Sequence, residues 1–145
     1  MVGDPLYRRE LLRLAADATG SGCLAAADAT GTAHNPACGD RVTVELTLDG
    51  GQITALAHQT QACVLTQASA ALLAGAAPGQ DHAGLTRLGR DLRAMLAGGP
   101  PPSPSYGVFD GVSGHHGRHA CVLLPVEAAL NALEGTEPGG SRTKG

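Results

Sequence analysis

The alternation from Arg41 to Leu48, followed by Asp49-Gly50-Gly51, constrains this chain more than any other stretch. Val42, Val44, Leu46 and Leu48 alternate with Arg41, Thr43, Glu45 and Thr47, which gives a strand one face for a core and one for water. Asp-Gly-Gly is hairpin chemistry, and Gln52 to Gln59 returns as a second strand. Pairing in such a hairpin brings the end of the second strand back beside the start of the first. Cys63, just past Gln59, therefore returns close to Asn35-Pro36-Ala37-Cys38-Gly39-Asp40, the turn that enters the first strand.

That turn carries a thiol and a carboxylate two residues apart, at Cys38 and Asp40. Pro36 fixes one backbone torsion and Gly39 permits a positive one, so both side chains can point the same way. A thiolate and a carboxylate on a rigid turn are half of a metal site. From Val64 to Leu73 the pattern changes to a helix, with Leu65, Ala68 and Leu72 on one side. Cys63 then stands at the helix start, where free amides and the helix dipole favour a thiolate. Cys121 precedes a last helix, Leu124 to Leu133, with Pro125 in its first turn. Three thiolates and a carboxylate suit zinc, or iron in an iron–sulfur cluster. The gaps are long and no CxxC pair occurs, so spacing leaves two readings open: one metal centre, or three separate core cysteines.

The remaining segments frame these groups. Residues 4–18 form an amphipathic helix, capped by Asp4-Pro5, with Tyr7, Leu11, Leu14, Ala15 and Ala18 inward. A short strand is expected near Leu24–Thr32, and Cys23 beside it reads as a small buried or half-buried cysteine in preference to a ligand. Another helix covers Ala83 to Ala97, and the Gly/Pro/Ser run from Gly98 to Ser105 is a stiff exposed connector. His115, His116 and His119 read as a flexible polar loop rather than as an alternative ligand or a proton carrier. His34 and His58 flank the hairpin and are candidates for groups surrounding a metal. The organisation is one domain over residues 1–134 and a polar, glycine-rich, disordered tail over 135–145.

Composition removes several functions. With two Tyr, one Phe and no Trp among 145 residues, Ala, Leu and Val must do the packing, which implies closely packed helices. A net charge of −3 and this shortage of aromatic rings argue against nucleic acid as a partner. The single lysine, Lys144, rules out a phosphate-binding Walker loop and an internal Schiff base. The chain has no apolar run that would span a membrane, and Asp4, Arg8, Arg9 and Glu10 stand where a signal peptide needs apolar residues. The expected location is the cytoplasm, where reduced cysteines act as ligands or nucleophiles.

Asn-Pro-x-Cys-Gly-Asp at 35–40 resembles the signature of the U-type iron–sulfur scaffold proteins, the IscU, SufU and NifU N-terminal family. Cys63 followed by Gln67-Ala68-Ser69-Ala70 is similar to that family's second cysteine, and Arg118-His119-Ala120-Cys121-Val122-Leu123-Leu124-Pro125 to its third. The resemblance implies an α+β fold of the SufE/NifU type, a small antiparallel sheet of about three strands packed against helices. It also implies a near-surface site of Cys38, Asp40, Cys63 and Cys121. That site would receive sulfur from a cysteine desulfurase of the SufS or IscS type and build a transient [2Fe–2S] cluster for apo acceptor proteins. On this reading the chain is a non-enzymatic scaffold. Two departures favour the SufU type: Ala120 replaces the histidine that IscU proteins carry there, and their Leu-Pro-Pro-Val-Lys segment is missing. Gly111-Val112-Ser113 and Arg118 match the SufU pattern instead. SufU proteins hold Zn2+ on these ligands and act as sulfurtransferases, with Cys121 the implied persulfide acceptor here and Arg118 assisting. A zinc-stabilised domain without transfer chemistry is the remaining alternative.

Overall fold

The alternating stretch is the middle strand of a three-stranded antiparallel sheet. In the computed structural model, which describes residues 9–17, 20–35, 39–112 and 114–135, the strands lie in chain order. They are β1 (Ala29–Asn35), β2 (Asp40–Asp49) and β3 (Gln52–Gln61). Asn35 pairs with Asp40 and Arg41 with Gln61, so the turn into β2 and the exit of β3 meet at one end of the sheet. Val42, Val44 and Leu46 are fully buried on one face, as the alternation requires. The first strand starts later than Leu24, because the residues before it cross over and serve β2 from the side. Leu24 N donates to Glu45 Oε1 at 2.8 Å, and Asp28 Oδ2 accepts from Leu48 N at 2.7 Å, where the β2–β3 register shifts.

The described residues form four α-helices beside the sheet: α1 (Arg9–Asp17), α2 (Val64–Ala76), α3 (His82–Leu96) and α4 (His119–Gly135). The N-terminal cap expected at Asp4-Pro5, with Tyr7, Arg8 and Ala18, lies outside the described residues, as does the tail from 136 on. α4 packs on β1 and β2, α2 on β3, and α1 and α3 on α2 and α4 respectively. α2 is buried on most of its circumference, through Leu65, Thr66, Ala68, Ser69, Ala70, Ala71, Leu73 and Ala74. A helix apolar nearly all round belongs inside a fold, and its short side chains let neighbours approach closely.

Small residues also face one another where β1 meets α4. Ala29 and Ala33 pack with Ala128, Ala129 and Ala132 in one core cluster. Between those strand positions, a Cβ on Gly31 would collide with the backbone of Ala128 and Ala132. Asn131 Nδ2 closes the same contact by donating to Thr32 O at 2.9 Å. The close approach expected between helices occurs here between a strand and a helix, as backbone-close contact.

The connector is shorter than the sequence suggests. Pro104 to Val112 form a 3-10 helix that packs on α1 and α2 and buries Tyr106 and Phe109 in the core cluster that also holds Leu92, Met95 and Leu96 of α3. Full burial of Phe109 contributes about 1.5–3 kcal/mol, which offsets the order imposed on a proline-rich segment. A second 3-10 turn, His116–Arg118, leads directly into α4.

α4 corrects the sequence reading most. It starts at His119, not near Leu124, so Pro125 lies inside it and Cys121 sits within its first turn. Proline has no N–H to give the carbonyl four residues back. That carbonyl belongs to Cys121, and the Thr66 hydroxyl of α2 donates to it at 2.9 Å. Ser69 Oγ donates to Val122 O at 2.7 Å one position along. A tertiary bond that no local pattern reveals therefore carries the helix through its proline.

Candidate metal centre

Asp40 opens β2 on the face shared by Val42 and Val44, so its carboxylate points under the helices and is only 5% exposed. Gly39 enters the strand at φ +75° and its N–H donates to Asn35 O at 2.8 Å, closing the turn across the Asn35–Asp40 pair. From β3 the chain passes Ala62, whose carbonyl accepts from Gln67 Nε2 at 2.9 Å, and places Cys63 at the cap position of α2. Cys121 approaches from the first turn of α4 and is buried at 1% exposure.

The ligand atoms of Asp40, Cys63 and Cys121 all lie within 4.8 Å of one another. Cys121 Sγ donates to Asp40 Oδ2 at 3.6 Å. Thr66 Oγ1 lies between them, 3.4 Å from Asp40 Oδ2 and 3.6 Å from Cys63 Sγ. Among the described residues, no basic side chain is paired with Asp40. A carboxylate taken out of water beside two thiols is costly unless a cation meets it.

The donor set fits such a cation. Metal–sulfur bonds of about 2.3 Å and metal–oxygen bonds of about 2.0–2.2 Å put tetrahedral ligand atoms about 3.6–3.8 Å apart. The Asp40–Cys121 separation of 3.6 Å already has that value. Two thiolates and a carboxylate suit zinc or iron.

Other residues singled out by sequence are placed differently. Cys38 lies outside the described residues. Cys23 is exposed instead of buried or half-buried, and Gln59 Nε2 donates to its sulfur. The reason is that the residues before β1 bridge the edge of β3 at Ser21–His58 and then pass Glu45, whose carboxylate accepts from Leu24 N, instead of entering the core. His34 is exposed on β1 opposite Arg41, facing away from Asp40. His58 is buried but pairs with Val44, well along β2 from Asp40, and its Nδ1 lies 2.9 Å from Thr60 Oγ1. Neither histidine surrounds the centre. His115 and His116 are exposed, and His119 begins α4 with its ring 5.0 Å from that of His116. They belong to a helical entry rather than a flexible loop, and none shares the Asp40–Cys63–Cys121 group. Arg118 is half-buried just before α4.

Sequence reasoning overlooked Thr66. The signal was its position three residues after Cys63, on the same helix face.

A small α+β domain closes one end of its sheet with two cysteine-bearing helix starts and a buried carboxylate, a group that could hold a metal ion. The chain belongs to the family of the NifU-like N-terminal domain, whose model matches residues 6–101. The match includes Cys38, Asp40 and Cys63 and ends before Cys121. A solved structure of a nitrogen-fixing NifU-like protein (N-terminal) from Brucella abortus is 30% identical, with a TM-score of 0.82 over 92% of this chain and 96% of that one. A putative iron–sulfur cluster assembly scaffold protein for the SUF system, from Fervidobacterium islandicum AW-1, shares the fold. Its TM-score is 0.75 at 20% identity, over 90% of this chain and 98% of that one. No functionally curated protein matches the chain significantly. No described helix is long and apolar enough to cross a membrane.

Proposed function

We propose that this protein is an iron–sulfur cluster assembly scaffold of the cytoplasm. It receives sulfur from a cysteine desulfurase and carries iron, or a transient [2Fe–2S] cluster, as cargo for apo acceptor proteins. The carrying observation is the buried carboxylate of Asp40, set between the thiols of Cys63 and Cys121 with no basic partner among the described residues. Family membership supplies the class of chemistry.

Cys38 completes the proposed ligand set with Asp40, Cys63 and Cys121, being two residues from Asp40 along the chain. A carboxylate is a harder and weaker ligand for a cluster than a fourth thiolate, which suits cargo that must be released. Cys121 is the proposed sulfur acceptor; the structure buries it, where the resemblance implied a near-surface site, so transfer requires the desulfurase to open the first turn of α4. Its thiolate attacks the outer sulfur of the desulfurase persulfide, takes that sulfur as its own persulfide, and returns the desulfurase cysteine as a thiolate. Arg118 assists by favouring the anion. The functional domain is residues 1–134, with 135–145 as a tail.

A second reading is a SufU-like, zinc-dependent sulfur acceptor that activates its desulfurase. It is favoured by Arg118 and Ala120 before Cys121 and by an Asp40–Cys121 separation that suits a single tetrahedral ion. Anaerobic reconstitution of metal-free protein with ferrous iron, cysteine and a desulfurase separates the two. A cluster spectrum that is lost in Cys38→Ser and passes to an apo-ferredoxin establishes the scaffold. No cluster, with desulfurase turnover raised only when zinc is restored, establishes the sulfur acceptor.

A further inference from the structure

One hydroxyl touches every described ligand of the centre. Thr66 is completely buried, donates to Cys121 O at 2.9 Å, and lies 3.4 Å from Asp40 Oδ2 and 3.6 Å from Cys63 Sγ. Its place follows from Pro125. In an unbroken helix the amide of residue 125 would serve the carbonyl of Cys121, but proline carries no N–H. Thr66 and Ser69, three residues apart on one face of α2, instead reach the successive carbonyls of Cys121 and Val122. A hydroxyl has one proton, and the shortest contact assigns it to Cys121 O. This bond fixes the first turn of α4, which carries Cys121, to the start of α2, which carries Cys63. The same oxygen rests against the Asp40 carboxylate.

We infer that Thr66 is the positioning residue of the metal centre, and that the donor gap left by Pro125 is what holds it there. Thr66 sets the separations of Cys63, Cys121 and Asp40 before a metal arrives. A residue that merely filled space would be replaced without consequence by valine, which has nearly the same shape. The effect on metal binding rests on the function proposed above; the effect on Cys121 in the metal-free protein does not.

The test compares wild type, Thr66→Val and Thr66→Ser, each with and without Pro125→Ala. Two readouts are taken: visible absorption and chelator competition with cobalt(II), and the rate of Cys121 alkylation in metal-free protein, mapped by mass spectrometry. Thr66→Val is expected to weaken cobalt binding about 10-fold, the lower end for groups that orient a ligand, to shift the cobalt bands, and to speed Cys121 alkylation. Thr66→Ser should restore all three. Pro125→Ala returns an amide to the Cys121 carbonyl, so Thr66→Val should then expose Cys121 half as much or less. Wild-type bands and wild-type Cys121 protection in Thr66→Val would overturn the positioning role. Equal damage in both proline backgrounds would overturn the link to Pro125. If Thr66→Val does not fold alone, folding regained with Pro125→Ala is the expected result, and an unfolded double variant counts against the inference. Wild type that takes no cobalt through Cys63 and Cys121 refutes the metal function, while metal-free alkylation still decides the role of Thr66.

Discussion

The thiol of Cys121 and the carboxylate of Asp40 meet at 3.6 Å inside the protein, across 81 residues of chain. One opens the second strand and the other lies in the first turn of the last helix. Both are almost completely buried. An arrangement of this kind is unfavourable for the empty fold and favourable once a cation neutralises it.

Replacing Asp40 therefore separates stability from function. Asp40→Asn removes a buried charge while keeping shape, and is expected to stabilise the metal-free protein by about 1 kcal/mol or more. Thermal unfolding in chelator reads this. Asp40→Ala should lengthen the life of a reconstituted cluster several-fold, timed by the decay of its visible absorption. An unchanged lifetime removes the carboxylate as the source of lability.

Metal removal should leave the fold in place. Two core clusters, one on the sheet and one joining α1 to α4, bury apolar side chains without the help of an ion. Far-UV circular dichroism of chelated protein is expected to match that of the loaded form, with a lower Tm. Cooperative unfolding on chelation would instead mark a structural zinc domain.

Thiol accessibility gives an ordering. Cys23 is exposed, Cys63 half-buried and Cys121 buried. Alkylation of metal-free protein should proceed in that order, read by peptide mapping. Added zinc should protect Cys63 and Cys121 and leave Cys23 unchanged. Equal protection of Cys23 would place the ion elsewhere.

At the β1–α4 contact, Gly31→Ala drives a methyl group into the backbone of Ala128 and Ala132. A loss of about 1–3 kcal/mol is expected, as for overpacking, measured by denaturant unfolding. The folded fraction should bind metal as before, because Gly31 lies along the sheet from Asp40.

Burial pushes the carboxyl of Glu127 up, and the nearby Arg93 guanidinium pulls it partly back. A carboxyl raised in the folded state binds its proton more tightly there than when unfolded. Its contribution is thus most favourable below the ordinary value of 4.5 and is lost as pH rises through the folded value. Glu127→Gln should gain stability relative to wild type as pH rises from 4.5 through the folded value, and hold that gain above it. A difference in Tm that stays flat with pH would contradict this.

Much of this was legible because short-range patterns carry it. The alternation of Arg41–Leu48 and the Asp49-Gly50-Gly51 turn dictated β2, β3 and the return of Cys63 beside Asp40, since antiparallel pairing leaves no other register for the buried face. Leucine and alanine periodicity dictated α2, leucine periodicity α3, and the Asn35–Asp40, Cys63 and Cys121 motifs pointed to the family. Tertiary structure alone decided the rest. Local rules put Pro125 in a first turn; the Thr66 and Ser69 hydroxyls of another helix allowed α4 to begin earlier and to carry Cys121 inside it. The burial of Asp40 and the removal of His34 and His58 from the centre were likewise settled by which elements pack together. A sequence encodes periodicity and turn chemistry residue by residue, whereas a bond between groups 55 positions apart exists only once the chain has folded.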